Sequence, residues 1–436
     1  MTRQIRTALV LASLAASAAA AQTPRATPSS TAPSSLPSGS LSPISAATLT
    51  ARARARVGAP ARVPLGDGPA LAALPSLEPP GSGRVPNYLR ALAAKPAAAK
   101  ALAGVVPAVL FTGTLPPATK LALAWRIAQL QESPYVAAHT DRWLRTLPQG
   151  AALAGRVQSG RTAELSASER LALRYAELLT TDIHGVDDQT FKAVRGEFND
   201  AQVVELTITT AFFNYLTRVA EGLRLPVEPW VFDTTARPAL PAAGAPAVAR
   251  VALASDAEIQ SAGALAAQLK SAGSVANSQR AMLRVPTMAA AWFQMFAGLN
   301  ADAALPREML LQISFAVSMA NGCRYCTLHQ VQGLRGLGVE MKKLVAMAKD
   351  DAALTAQERV AVTFARGLTR RASVPTDADY RALVAALGEK GALEAVLQAS
   401  TFNFMNRFTD GLRLPSEDEA VRVYREVYGQ DFARKR

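Results

Sequence analysis

Cysteine and histidine are scarce in this sequence, which contains two cysteines and three histidines among 436 residues. One disulfide at most can form within the chain, and a zinc site would have to find four ligands among very few side chains. Aromatic residues make up only 6%, whereas Ala and Leu are abundant. This composition favours helices over a β-sandwich or a β-barrel.

Long apolar runs are also missing, because beyond the first 21 residues no stretch of 18 apolar residues occurs. No membrane-spanning helix is therefore predicted. At the N-terminus Arg3 and Arg6 precede the short apolar run 8–18, and three alanines at 19–21 fit the small-residue cleavage rule. We expect residues 1–21 to be a secretory signal peptide and the protein to be exported, periplasmic or secreted. A retained N-terminal anchor is the alternative.

Acidic residues are absent from the first 62 residues, which contain seven arginines, so much of the formal net charge of +13 lies there. The charge of the remaining sequence is typical of a solvated surface and predicts no nucleic-acid partner. Residues 22–83 are rich in Pro, Ser, Ala and Arg. We predict a disordered segment there, because such a composition cannot bury a core.

Two parts of the sequence resemble each other. The pentapeptide Gly-Leu-Arg-Leu-Pro occurs at 222–226 and again at 411–415, an offset of 189 residues, and the same or nearly the same offset aligns further segments upstream. We interpret the chain as a tandem duplication, with copy one at 84–228 and copy two at 284–420. The remaining predicted parts are a linker plus helix at 229–283 and a C-terminal tail at 421–436.

Both copies carry the sequence pattern of helices. Apolar residues recur at helical spacing over 306–320, and Asn321-Gly322 then ends that helix. A second helix can begin at Cys323, and Thr355 with Glu358 forms a capping box before a third. Neither copy shows sustained alternation of apolar and polar residues. The predicted fold is all-α, with two tandem helical domains.

The two cysteines, Cys323 and Cys326, lie at this predicted helix start, and His329 follows one turn further on. Free backbone N–H groups and the helix dipole stabilise a thiolate there, which lowers a cysteine pKa. The second thiol is close enough to form a disulfide with an oxidised first thiol, and the histidine can relay a proton. The motif therefore predicts a redox-active pair. A structural disulfide would close only a tiny loop, and zinc would need a fourth ligand; both remain alternatives.

The segment from Arg307 to His329, with its Cys-x-x-Cys motif, resembles the carboxymuconolactone decarboxylase and alkylhydroperoxidase D superfamily. The resemblance implies an all-helical fold that assembles into homo-oligomers, and a peroxidase without cofactor or metal. It makes Cys326 the thiol that attacks the peroxide, Cys323 the resolving thiol, His329 the proton relay and Glu308 the base. The expected partners are a peroxide substrate and an unidentified thiol reductant.

Copy one tests this interpretation, because the positions equivalent to the two cysteines hold Ser133 and Val136. We predict that copy one is inert in thiol chemistry, that its Tyr135 and His139 serve packing, and that it covers apolar helix faces of copy two. Two other functions stay open. A decarboxylase-like lyase needs acid and base groups but no thiol pair, and a helical scaffold would carry the motif as a vestigial disulfide.

Overall fold

Helices account for the regular structure of this protein wherever the chain is described. The computed structural model describes residues 43–79, 82–233, 238, 253–261, 275–430 and 432, and no strand occurs among them. The predicted all-α fold is therefore confirmed for these residues. The predicted signal peptide at 1–21 lies outside them.

Nineteen helices are described within these ranges. In chain order they are α1 (Ala46–Ala55), α2 (Pro69–Ala72), α3 (Asn87–Arg90), α4 (Pro96–Phe111), α5 (Pro117–Leu130), α6 (Pro134–Thr146), α7 (Gly150–Gln158), α8 (Ala167–Thr181), α9 (Asp188–Glu197), α10 (Asp200–Gly222), α11 (Asp256–Ser261), α12 (Asn277–Met282), α13 (Pro286–Asn300), α14 (Arg307–Asn321), α15 (Arg324–Gly336), α16 (Met341–Lys349), α17 (Ala356–Arg370), α18 (Asp377–Gly411) and α19 (Asp418–Tyr428). Short 3₁₀ turns lie at Thr162–Glu164 and Pro229–Phe232. Gly388 interrupts α18 with a φ of 71°.

Helix ends follow the local sequence closely. The hydroxyl of Thr355 accepts the backbone N–H of Glu358, whose carboxylate in turn accepts the N–H of Thr355, so the predicted capping box is confirmed. Gly322 ends α14 in the left-handed region, with a φ of 70° that an L side chain rarely adopts. These two helix boundaries are therefore set by signals that act over a few residues.

The two copies pack against each other through equivalent groups that make reciprocal contacts. The guanidinium of Arg218 in copy one donates to the carbonyl of Thr369 in copy two at 3.1 Å. Its counterpart Arg407 donates to the carbonyl of Thr180 in copy one at 3.0 Å. Both arginines are buried, so each copy satisfies carbonyls of the other inside a shared core.

Apolar helices complete this interface. The long helices α10 and α18 lie against each other, as do α4 and α13, which are the same helix in the two copies. The rings of Tyr215 and Trp292, one from each copy, meet edge to face with centroids 6.2 Å apart. Lys95 of copy one also donates to the buried carboxylate of Glu394 in copy two at 2.8 Å. Copy one therefore covers apolar faces of copy two within one chain.

The predicted disorder over 22–83 is wrong for its described part. Helix α1 packs on copy one, and arginines of this basic segment bind acids of the folded body. Arg56 holds Glu221 through both carboxylate oxygens, and Arg62 donates to Asp377 at 2.8 Å. Composition suggested a solvated segment because the acids that pair with these arginines lie more than a hundred residues away in sequence.

The predicted C-terminal tail over 421–436 is also wrong in its described part. Residues up to Tyr428 belong to α19, which buries Val423, Tyr424 and Val427 against α15 and α16. The linker over 229–283 is described only in pieces, which include α11 and α12. No helix within the described ranges is long and apolar enough to cross a membrane.

Candidate active site

The cysteine pair lies where α14 turns into α15. Gly322 reverses the chain after α14, and the N–H of Cys323 still donates to the carbonyl of Ser318 at 2.9 Å. Cys323 is the N-cap of α15, and its sulfur accepts the backbone N–H of Cys326 at 3.3 Å. The side chains are buried, with 0% and 3% of each residue exposed. The predicted helix start is therefore present, and both thiols face the interior.

Both sulfurs meet one hydroxyl group from α18. The Oγ1 of Thr409 lies 3.4 Å from the Sγ of Cys323 and 3.5 Å from the Sγ of Cys326. This hydroxyl donates its own hydrogen to the carbonyl of Met405 at 2.9 Å. Its lone pairs are therefore left to accept from the two thiols. Thr409 holds the sulfurs side by side around a single oxygen.

An acidic residue stands next to the first thiol. The pKa of the Cys323 thiol is raised well above its ordinary value by burial, by the contact with Cys326 and by the negative charge of Asp410. The lowered pKa expected from the helix start is therefore wrong for Cys323. The amide of the helix N-terminus is present, but burial and a neighbouring negative charge outweigh it.

His329 is engaged at both ring nitrogens. Its Nδ1 lies 2.7 Å from the carbonyl oxygen of Tyr325 and its Nε2 lies 2.7 Å from Oε2 of Glu417. A carbonyl can only accept, so Nδ1 carries a hydrogen, while Nε2 faces the carboxylate of Glu417. The hydroxyl of Tyr325 donates to Oε1 of the same glutamate at 3.0 Å.

Glu417 organises this group. Its Oε1 also accepts the N–H of Asn277, the first residue of α12, at 2.8 Å. Burial acts to raise the pKa of Glu417, but the contacts with His329 and the backbone amide outweigh it and leave the pKa below its usual range. Glu417 was not predicted, although the repeat contains it. The pentapeptide is followed in both copies by one variable residue and a glutamate, Glu228 in copy one.

The position of Glu308 does not support the predicted role as base. Glu308 is the second residue of α14, and 13 residues of helix separate it from Asn321, so it lies about 20 Å from the cysteine turn at 1.5 Å per residue. Its carboxylate instead contacts Lys343 at 2.7 Å and Gln312 at 3.0 Å. Its place at the start of the helix matches the helix dipole rather than the thiols.

Copy one preserves the histidine group without the sulfurs. His139 Nε2 and the hydroxyl of Tyr135 each lie 2.9 Å from the carboxylate of Glu228. The N–H of Asn87, at the start of α3, also donates to that carboxylate. Tyrosine, histidine and glutamate thus join the same three segments in both copies. A group that is retained beside Ser133 and Val136 must have a structural function that needs no thiol.

The residues that touch the sulfurs differ between the copies. At the position of Thr409 copy one has Ala220, and at the position of Asp410 it has Glu221. Ser133, which replaces Cys323, donates to Glu221 at 2.8 Å, and Arg56 of the N-terminal segment neutralises that acid. The two sulfurs and the hydroxyl between them are therefore absent together from copy one.

Metal ligands do not gather near the cysteines. His329 directs both nitrogens to other partners, and among the described residues no group of three His, Cys, Asp or Glu side chains could hold an ion. The Cys-Cys-His zinc alternative has no geometric support here.

Part of copy two matches a known protein family. Residues 286–367 match the carboxymuconolactone decarboxylase family, so the resemblance seen in the sequence is confirmed over these residues. Two solved structures of the debrominase Bmp8, one apo and one of a cysteine-to-alanine variant with 2,3,4-tribromopyrrole, are similar at 20% identity. Each match covers 41% of this chain, with 97% of the apo chain and 96% of the variant chain, and a TM-score of 0.36. No curated protein matches the chain.

Proposed function

We propose that copy two, whose residues 286–367 match the carboxymuconolactone decarboxylase family, is a dithiol peroxidase that reduces hydroperoxides through Cys323 and Cys326. The observation that carries the proposal is the convergence of both sulfurs on the Thr409 hydroxyl, within 3.5 Å. This hydroxyl is present in the copy that has the cysteines and replaced by Ala220 in the copy that lacks them. The difference supports a function of Thr409 toward the thiols.

The proposed cycle starts at Cys326. Its sulfur attacks the distal oxygen of a hydroperoxide, the O–O bond breaks, and the thiol proton ends on the departing alkoxide, which leaves as an alcohol. The sulfenic acid at Cys326 is then attacked by the sulfur of Cys323. The S–S bond forms as the hydroxyl leaves with the Cys323 proton as water. Two equivalents of an external thiol reduce the disulfide and are themselves oxidised to a disulfide.

The raised pKa of Cys323 fits the order of attack in this cycle. Burial, the contact with Cys326 and the charge of Asp410 keep its proton on the sulfur at neutral pH. A protonated thiol is a poor nucleophile, so the raised pKa disfavours a first attack of Cys323 on the peroxide. To attack the sulfenic acid, Cys323 has to release this proton, and one proton leaves with the hydroxyl as water.

Burial of the thiols also bears on the substrate. With 0% and 3% exposure, neither sulfur can meet the face of a folded partner protein without movement of the chain. A small hydroperoxide needs far less room than a protein disulfide. We therefore propose small organic hydroperoxides or hydrogen peroxide as the oxidant, and a small or locally inserted thiol as the reductant.

His329 is proposed to relay the thiol proton of Cys326 to the departing alkoxide. It lies one turn beyond Cys326 on α15, and its Nε2 is 2.7 Å from a carboxylate oxygen of Glu417. The equivalent group in copy one indicates that the same side chains also hold the fold together. Variants of His139 and His329 therefore distinguish the proton-transfer role of His329 from its structural role.

The decarboxylase-like lyase and the scaffold with a vestigial disulfide remain the competing functions. A lyase would need neither sulfur nor a reductant, and a scaffold would keep its disulfide closed. The family match is common to all three. Export from the cytoplasm and assembly into homo-oligomers remain part of the proposal.

Peroxide consumption with single cysteine variants tests the proposal. Cys326→Ser is expected to abolish consumption, whereas Cys323→Ser should consume one peroxide per chain and trap a sulfenic acid at Cys326. Stopped-flow kinetics and dimedone labelling with mass spectrometry measure both. Lactone turnover without reductant would favour the lyase. A disulfide whose reduction potential lies below about −300 mV would favour the scaffold.

A further inference from the structure

The third histidine of the chain reaches the cysteine site from the other copy. His184 lies in the loop between α8 and α9 of copy one. Its Nε2 is 3.1 Å from the carbonyl oxygen of Gly322, the residue before Cys323, and its Nδ1 is 3.5 Å from Oδ1 of Asp410. One ring thus contacts both the turn that presents Cys323 and the carboxylate whose charge raises the pKa of its thiol.

Hydrogen-bond chemistry determines the direction of these contacts. A carbonyl oxygen only accepts, so the Nε2 of His184 carries a hydrogen and donates it to Gly322. The Nδ1 then faces a carboxylate. When Asp410 is ionised, a second proton on the ring is favoured, because an imidazolium so close to a carboxylate is electrostatically stabilised. The charge of His184 is therefore coupled to that of Asp410.

These groups lead from the buried thiol to the surface. Cys323 is fully buried, whereas the side chains of Asp410 and His184 are 15% and 14% exposed. The Thr409 hydroxyl contacts both sulfurs, and the next residue, Asp410, has its carboxylate 3.5 Å from the His184 ring, which is partly exposed at the edge of the protein. A proton that leaves Cys323 when the thiol reacts has a short path through groups that can carry it.

The loop that carries His184 is held in place by copy two. Arg407 donates to the carbonyl of Thr180 at 3.0 Å, and Arg413 donates to the carbonyl of Val186 at 3.0 Å, one on each side of the histidine. The N–H of His184 itself donates to Asp182 at 2.9 Å. Asp410 and Asp182 lie beside the histidine, and the two arginines bind the flanking carbonyls.

The site in copy one that is equivalent to the cysteine site has no histidine from the other copy. The residue of copy two that corresponds to His184 is Ser373, which has no ring nitrogen. The acid that corresponds to Asp410 is Glu221, and it is bound by Arg56 of the N-terminal segment and by Ser133. The acid at the copy-one site is thus bound by an arginine, which stays charged, whereas the acid at the copy-two site faces the titratable ring of His184.

We propose that His184 is a positioning residue for Cys323, which couples the proton of that thiol through Asp410 to solvent, so that the redox site is assembled from both copies. The proposal rests on the thiol chemistry of the proposed function, but it concerns the protonation of Cys323 and can be tested without a peroxidase assay. It also gives copy one a chemical role beyond its packing surface.

The test is the pH dependence of thiol alkylation in the full chain. Iodoacetamide labels the reduced protein, and trypsin then separates the cysteines, because cleavage after Arg307, Arg324 and Arg335 puts Cys323 in peptide 308–324 and Cys326 in peptide 325–335. His184→Gln keeps an N–H donor for Gly322 but cannot titrate. The control Asp188→Asn loosens the same loop at its contact with Arg413 without changing the ring.

With His184→Gln, the alkylation rate of Cys323 at pH 7 is expected to fall by roughly threefold to tenfold, the effect of half to one pKa unit. Asp410→Asn should raise that rate, and adding His184→Gln to it should have no further effect, because the coupling passes through the carboxylate. Asp188→Asn should leave the Cys323 profile unchanged. Thermal unfolding midpoints show that each variant is folded.

Three results would overturn the proposal. They are an unchanged Cys323 profile in His184→Gln, an equal change of both cysteines, or the same change in the Asp410→Asn background. Should His184→Gln fail to fold, Asp410→Asn alone decides, since a rate that does not rise removes the link. Absence of peroxide consumption in the unaltered protein would refute the proposed function and leave this measurement intact.

Discussion

Copy one and copy two share their helical architecture and differ in the atoms at the turn that carries the cysteines in copy two. Both keep the tyrosine, histidine and glutamate that join α6 or α15 to the preceding short helix and to the segment after the pentapeptide. Both keep a buried arginine that donates to a carbonyl of the other copy. These shared contacts serve packing in both copies, whereas the two sulfurs and the hydroxyl between them are present in copy two alone.

The largest expected effect comes from giving copy two the residues of copy one. Cys323→Ser, Cys326→Val and Thr409→Ala together should reduce peroxide consumption to the uncatalysed background. The free energy of unfolding should change by less than about 2 kcal/mol, since the corresponding side chains of copy one occupy equivalent positions of the fold. Peroxide assays and denaturant titration measure the two quantities. A triple variant that still consumes peroxide would remove the chemical distinction between the copies.

The second largest effect is expected when copy two is separated from copy one. Copy two expressed alone, residues 284–436, would expose the faces of α13 and α18 that copy one covers, and Arg407 and Glu394 would lose their cross-copy partners. We expect self-association or aggregation. Light scattering and sedimentation determine its mass in solution. A stable, active monomer would show that copy one is not a structural partner.

The two buried arginines allow a matched pair of variants. Arg218→Met and Arg407→Met should each lower the free energy of unfolding by about 2–4 kcal/mol, because a buried donor is removed from carbonyl oxygens of both copies. Similar values are expected, as the contacts are equivalent. Urea titration of both variants tests the symmetry of the interface. A cost confined to one arginine would contradict it.

Variants of His139 and His329 distinguish a structural role of the histidine from a role in proton transfer. His139→Gln and His329→Gln should destabilise the protein by comparable amounts of about 1–2 kcal/mol, because each breaks a contact with a glutamate at the same place in the fold. Only His329→Gln should lower the rate of sulfenic acid formation at Cys326. Stopped-flow kinetics at several pH values measure this rate. Equal kinetics for both variants would leave His329 with a structural role alone.

The smallest effect is expected from acid titration of Glu417. Its pKa in the folded protein lies below the ordinary value of 4.5, so its ion pair contributes fully above that pH and the contribution is lost as the pH falls through the folded pKa. Glu417→Gln should therefore reduce the loss of stability below pH 4.5 while lowering stability at neutral pH. Urea titration between pH 3 and pH 7 compares the two proteins. An unchanged pH dependence would argue against this ion pair.

Several features of this site depend on contacts that could not be predicted from the sequence. Glu308 resembled a base because it lies on the helix that leads to the cysteines, yet a straight helix carries it about 20 Å away. Glu417 takes the place beside His329 because α15 and the segment before α19 pack together. The repeat contained Glu228 and Glu417 at equivalent positions, and this was the available signal.

The sequence by itself determined the helices, the duplication and the turn that carries the two cysteines. These follow from capping residues, a glycine with positive φ and periodic apolar positions, all of which act over a few residues. Only the tertiary structure decided that Thr409 and Asp410 meet the sulfurs, that His184 arrives from the other copy, and that basic N-terminal residues pair with distant acids. Such contacts depend on how whole helices pack, because the partners lie far apart in the chain and share no local pattern.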